Sequence, residues 1–78
     1  MKTHKLDLHR YRHEDVRNEV IRFIESHWHD PTELEIVTGN SNKMKDIVIE
    51  VIKEYGLSSQ VGRIFDIYNK GYIITRTE

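Results

Sequence analysis

Leu6-Asp7-Leu8-His9, near the start of the chain, is the pattern from which the layering of the molecule follows. In extended backbone successive side chains point to opposite faces. Read as a strand, it places Leu6 and Leu8 on one face and Asp7 and His9 on the other. One face needs a core. The other carries a carboxylate beside an imidazole.

Downstream of that strand the polar stretch Arg10-Tyr11-Arg12-His13 gives way to a helical pattern. Val16, Val20, Phe23 or Ile24, and Trp28 recur at steps of three and four and form one apolar stripe. Glu14 and Asp15 suit the positive end of a helix dipole, and Pro31 blocks continuation, so a helix is predicted at about 14–28. Leu34-Glu35-Ile36-Val37-Thr38 alternates as a second strand and stops at Gly39-Asn40-Ser41-Asn42, residues that favour turns. Ser41 or Asn42 is a ready N-cap for a second helix. Its stripe of Met44, Ile47, Val48, Val51, Ile52 and Tyr55 is core, and Gly56 closes it. Residues 61–68 and 72–77 read as two further strands, joined as a hairpin by Asn69-Lys70-Gly71.

The element order is β-α-β-α-β-β. Helical connections imply right-handed crossovers between parallel strands. The predicted fold is therefore an α/β two-layer sandwich: a mixed four-stranded sheet with the last strand antiparallel, two helices on one face, and the other face open.

The chain of 78 residues makes one domain over 1–78, with a core over about 6–77 and a basic end at 1–5. With no cysteine it has neither a disulfide framework nor a thiolate zinc site. No apolar run reaches the roughly 20 residues of a membrane span, and the N-terminus lacks the apolar region of a secretory signal. These features place the protein in the cytoplasm, away from membranes. A net charge of −1 argues against a polyanion binder held by bulk charge. The distribution is uneven: residues 1–13 hold Lys2, Lys5, Arg10 and Arg12 with three histidines against the single acid Asp7. That end reads either as an anion-binding patch around the first strand or as a solvated, partly frayed terminus.

In open sheets with parallel strands, ligands sit beyond the carboxyl ends of the strands. The first strand ends at Asp7, His9 and Arg10. The second ends at Thr38-Gly39-Asn40-Ser41, and the helix after it opens with Lys43 and Lys45. A Gly/Asn/Ser loop at a helix N-terminus offers backbone N–H groups and a positive dipole to an anion, and phosphate is the anion expected there.

With these residues in place the chain resembles the Smr (small MutS-related) domain family, of which it would be a divergent member. Leu6-Asp7-Leu8-His9 is similar to the Leu-Asp-Leu-His motif that opens the domain, and the resemblance runs from about Leu6 to Thr77. It implies the two-layer sandwich also seen in the C-terminal domain of bacterial translation initiation factor 3. Two positions depart from the pattern. Arg10 stands where the family usually has glycine, and Thr38-Gly39-Asn40-Ser41 stands for His-Gly-x-Gly, keeping only its first glycine.

The resemblance implies nucleic-acid binding and, in several members, endonuclease activity, a hydrolase reaction on structured DNA or on RNA. Carried over by position, Asp7 and His9 would be catalytic and Gly39 would belong to the second motif. Phosphodiester cleavage needs a group to move a proton and positive charge near the phosphoryl group. His9, oriented by Asp7, suits the first role. Arg10, Lys43 and Lys45 suit the second, with Arg12, Thr38, Asn40 and Ser41 as further phosphate contacts and Tyr11 as a stacking surface for a base. Thr38 cannot replace histidine as a base, since a hydroxyl has no comparable pKa. The alternative is a non-catalytic module that binds nucleic acid or protein and has lost the second motif. One carboxylate beside one histidine falls short of a divalent-metal ligand set, so no metal site is assigned and the cofactor is left open. His27 and His29 do not face each other on a helix. Interaction with the negative helix end accounts for them better than a metal does, and Trp28 is expected in core or hairpin packing.

Overall fold

The computed structural model describes residues 2–77. The elements run β1 (Thr3–Asp7), α1 (His13–Ser26), β2 (Glu33–Val37), α2 (Asn42–Glu54), β3 (Ser59–Val61) and β4 (Tyr72–Arg76). The sheet order is β1-β2-β4-β3. β1 pairs parallel to β2, and β4 runs antiparallel to both of its neighbours. This is the expected mixed sheet with the last strand reversed.

One register fixes one core. Leu6, Ile36, Ile73 and Val61 lie opposite one another across the four strands, and Leu8, Leu34, Ile36 and Ile73 are fully buried. Over them lie the apolar stripes of both helices: Val16, Val20 and Ile24 from α1, and Met44, Val48, Val51 and Ile52 from α2. Each such buried aliphatic side chain contributes about 1.5–3 kcal/mol. The cluster is single and contains both helices, so they share one layer.

The strands and helices shift from their predicted limits for local reasons. β1 starts at Thr3, so Lys5 belongs to the sheet and not to a frayed end; it pairs in register with Glu35. The strand ends at Asp7, although Leu8 N–H still donates to Val37 O at 2.9 Å before the chain turns. α1 stops at Ser26. Both the Ser26 hydroxyl and His27 Nδ1 bond the Phe23 carbonyl, at 3.0 and 2.9 Å, and these side-chain bonds compete with the next helical turn. α2 is capped as expected, Ser41 Oγ accepting from Met44 N–H at 3.1 Å. Gly56 follows α2, and its N–H returns to Lys53 O at 2.9 Å.

The predicted strand over 61–68 and its tight hairpin are wrong. β3 is three residues long, and residues 62–71 form a loop. Gly62 ends the strand: its φ is +67°, a left-handed value that side chains with a Cβ rarely adopt. Its N–H makes a last ladder bond to Tyr72 O at 2.8 Å. Beyond it the partner strand departs, because Gly71 O is taken by the N–H groups of Thr38 and Gly39 at 2.9 and 2.8 Å.

Nor is the second sheet face fully open. Arg63, in that loop, reaches back to Glu33 on the face away from the helices. No described helix is long and apolar enough to cross a membrane.

Candidate functional site

Asp7 is the last residue of β1 and points to the helix-free face; His9 follows in the turn. Two bonds tie them. The Asp7 Oδ1 oxygen accepts from His9 N–H at 3.0 Å and lies 2.6 Å from His9 Nδ1. On the other side of the ring, Arg10 Nε donates to His9 Nε2 at 3.3 Å. An Nε2 that accepts is unprotonated, so the network assigns the ring proton to Nδ1, which donates it to Asp7. The hydrogen bonds from the His9 side chain and backbone hold the Asp7 carboxyl below the usual carboxylate range. Asp7 is therefore an acceptor at neutral pH, fixing the tautomer whose Nε2 lone pair accepts from Arg10. Both side chains are about half exposed.

The second strand end lies beside the first, since β1 and β2 are parallel and Asp7 pairs in register with Val37. Its residues do different work from that expected. Thr38 is buried, and its hydroxyl donates to Gly39 O at 3.0 Å. The Gly39 N–H is spent on Gly71 O, so neither group is offered to an anion here. The Ser41 oxygen caps α2. Asn40 and Lys43 are exposed and Lys45 is half-buried. Arg12 stands at the N-cap of α1 and pairs with Glu14 at 3.6 Å, while Tyr11 is exposed in the turn before it. Among the described residues Arg10, Lys43 and Lys45 form no ion pair.

The loop 62–71 is the part that sequence reasoning missed. Its polar groups face the sheet. Arg63 makes a forked contact with Glu33, at 3.1 and 2.7 Å, and Glu33 also accepts from the Thr3 hydroxyl at 2.8 Å. The Arg63 bonds come first and the Thr3 bond and Arg76 charge add to them, bringing the Glu33 carboxyl down to about 2. Tyr72, whose hydroxyl donates to Asp66 at 2.9 Å and accepts from Arg63 N–H at 3.1 Å, pins the middle of the loop. Burial, and then the Asp66 bond, raise that phenol above its usual range, so it remains a donor.

Loop and sheet together enclose a cleft of about 510 Å³, within the roughly 300–1,000 Å³ of small-ligand sites. Lys5, Gly39, Asn40, Phe65, Asn69 and Tyr72 are among the residues around it. The dyad adjoins it through the pairing of Asp7 with Val37, another lining residue. One sequence signal did point here. Glu33 and Glu35 alternate onto the face predicted to be bare, and two acids on one strand face require a cation to cover them.

The remaining polar cluster is structural. His27 Nδ1 bonds the Phe23 carbonyl in the last turn of α1, the helix-end interaction expected for it, and its ring also lies against His4 with centroids 4.0 Å apart. Trp28 lies neither in the core nor on the hairpin. It is 42% exposed and packs against Tyr55 at 5.4 Å between centroids. No three His, Asp or Glu side chains converge as metal ligands among the described residues. No protein-family model matches the chain, and neither does any curated protein or solved structure.

Proposed function

We propose that this chain is a nucleic-acid-binding domain of the Smr type that cleaves phosphodiester bonds at the edge of its sheet. The observation that carries the proposal is the Asp7–His9 pair, joined at 2.6 Å with Nε2 of the ring directed away from the carboxylate. A base of this kind removes a proton from water or from a ribose hydroxyl as that oxygen attacks phosphorus, and Asp7 stabilises the imidazolium that forms; the opposite P–O bond breaks, and its departing oxygen takes a proton from solvent water. Arg10, already on Nε2, moves to the phosphate when substrate displaces it, where its guanidinium meets two oxygens at once. Lys43 and Lys45, which form no ion pair among the described residues, contact neighbouring phosphates. Lys5 and Arg63 are paired with Glu35 and Glu33, so the backbone path follows the edge and not the face.

A second reading, the non-catalytic binding module, is favoured by Thr38 and Gly39, whose polar groups are both spent internally. One assay separates the two. Supercoiled plasmid, branched DNA and structured RNA are incubated with wild type and His9→Ala, with magnesium and with chelator. Loss of cleavage on replacing His9 supports the nuclease. Cleavage that survives the replacement overturns the role given to His9. Absence of cleavage by wild type, with binding that weakens steeply as salt rises, leaves the binding module. Absence of binding at low salt overturns both.

A further inference from the structure

The loop 62–71 inverts the usual burial order. Arg63 and Asp66 are turned to the sheet, while Ile64, Phe65, Ile67 and Tyr68 are 86, 83, 64 and 96% exposed. Four large apolar side chains within five residues cost free energy when solvated, yet the loop is held in this form by bonds at several points. Besides Arg63 to Glu33 and Tyr72 to Asp66, Lys70 Nζ donates to Arg63 O at 3.2 Å and Asn69 Oδ1 accepts from Gly71 N–H at 3.0 Å. The outward set is built on a fixed base.

We propose that Phe65 and Tyr68 form a stacking platform for unpaired bases, so that the substrate class of this domain is single-stranded nucleic acid or a single-stranded segment of a larger one. The proposal rests on the nucleic-acid reading above and extends it. Three observations choose this occupant. Phe65 lines the same cleft as Gly39 and Asn40, so its ring continues the candidate edge, and Tyr68 lies three residues on in the same loop. The unpaired cations Arg10, Lys43 and Lys45 belong to the strand-end turns and the start of α2, which places backbone phosphates there and leaves bases to reach the loop. The Asn40 side chain and the Asn69 amide Nδ2 supply polar groups in the cleft that Phe65 lines, for base edges. An aromatic ring gains most from a base whose own face is free, which a base stacked within a duplex is not.

The test uses labelled single-stranded oligothymidylate and oligouridylate and a duplex of equal length, measured by fluorescence anisotropy at low salt. Phe65→Leu and Tyr68→Leu keep the apolar bulk and remove the ring face; both positions are so exposed that the variants fold, which circular dichroism verifies. The expected result is tighter binding of single strand than of duplex by wild type. Each leucine variant should then weaken single-strand binding about tenfold, with duplex binding and salt slope unchanged. Single-strand binding that the leucine variants retain overturns the platform while leaving the phosphate edge intact. Binding of duplex without binding of single strand overturns the platform alone, and failure of wild type to bind single strand and duplex alike overturns the underlying reading as well. Concentration-dependent self-association or vesicle binding retained by the leucine variants, with oligonucleotide affinity unmoved, assigns the loop to a second copy or to lipid and also overturns the platform.

Discussion

Two walls stand at this end of the sheet, the loop lining the cleft and the Asp7–His9 turn adjoining it, and they are made in opposite ways. On the β1 side Asp7 and His9 are exposed polar groups joined to each other across two residues, with the apolar Leu6 and Leu8 turned into the core. On the loop side the polar Arg63 and Asp66 are turned inward onto Glu33 and Tyr72, and the apolar side chains are turned out. The first wall owes its form to a regular strand and a local turn. The second owes it to bonds spanning 30 residues of sequence, from Arg63 to Glu33. Damage to the second wall should therefore cost stability, and damage to the first should cost chemistry alone.

The largest stability effect expected is that of Arg63→Ala. It leaves Glu33, only 7% exposed, without its forked partner. The loss should be about 2 kcal/mol at neutral pH, or roughly a 10 °C fall in Tm for a domain of this size. The pH dependence identifies the cause. Glu33 is lowered to about 2 in the folded chain from an ordinary 4.5. A carboxyl lowered on folding adds stability that is full above its unfolded pKa and disappears as pH falls through the folded one. Wild type should thus lose this contribution between about 4.5 and 2, whereas Arg63→Ala has little of it to lose. The two Tm curves should converge across that window. Parallel curves would mean that Arg63 stabilises the loop by packing and not through the Glu33 charge.

Gly62 and Gly39 sharpen the same contrast at equal backbone geometry, since both have φ +67°. At Gly39 an added Cβ meets nothing within 4 Å, so Gly39→Ala should cost only the conformational penalty, about 1 kcal/mol. At Gly62 it would lie 2.8 Å from Lys70 Cδ and 3.1 Å from Asn69 O. The lysine can move but the backbone oxygen belongs to the pinned loop, so Gly62→Ala should cost about 2 kcal/mol. Chemical denaturation of the pair reads the difference directly. Equal losses would mean that the loop yields freely and that its wall is not fixed.

How much of this was legible depended on the range of the deciding interactions. Sheet order, strand directions and both helix stripes follow from periodicities of two and 3.6, which neighbours in sequence reveal. The Asp7–His9 pair was equally local. The loop was misread because Ile64, Phe65, Ile67 and Tyr68 have the composition of a buried strand, and Gly62 was passed over as a terminator. Whether such residues face a core or water is settled by Glu33, whose need for a cation no window around residue 64 contains. Thr38 was misplaced more simply. It continues the inward face of Leu34 and Ile36, so its hydroxyl had to bond its own backbone and was lost to the site.

The smallest stability effect is expected at Asp7, and there the two walls separate most clearly. Asp7 and His9 are both about half exposed, so Asp7→Asn should leave Tm unchanged within error. Its effect should fall on the proton. A carboxylate can only accept, which keeps the ring proton on Nδ1; an asparagine amide can also donate, allowing Nδ1 to accept and the proton to move to Nε2. A ring so inverted has no lone pair facing the edge. Nitrogen-15 NMR of the His9 imidazole should show Nδ1–H in wild type and a shift toward Nε2–H in the variant, with any cleavage activity falling in parallel. An unchanged tautomer would mean that Arg10 and the turn orient His9 without Asp7. The carboxylate would then be one more solvated acid on the sheet, and the first wall would have no built chemistry to set against the second.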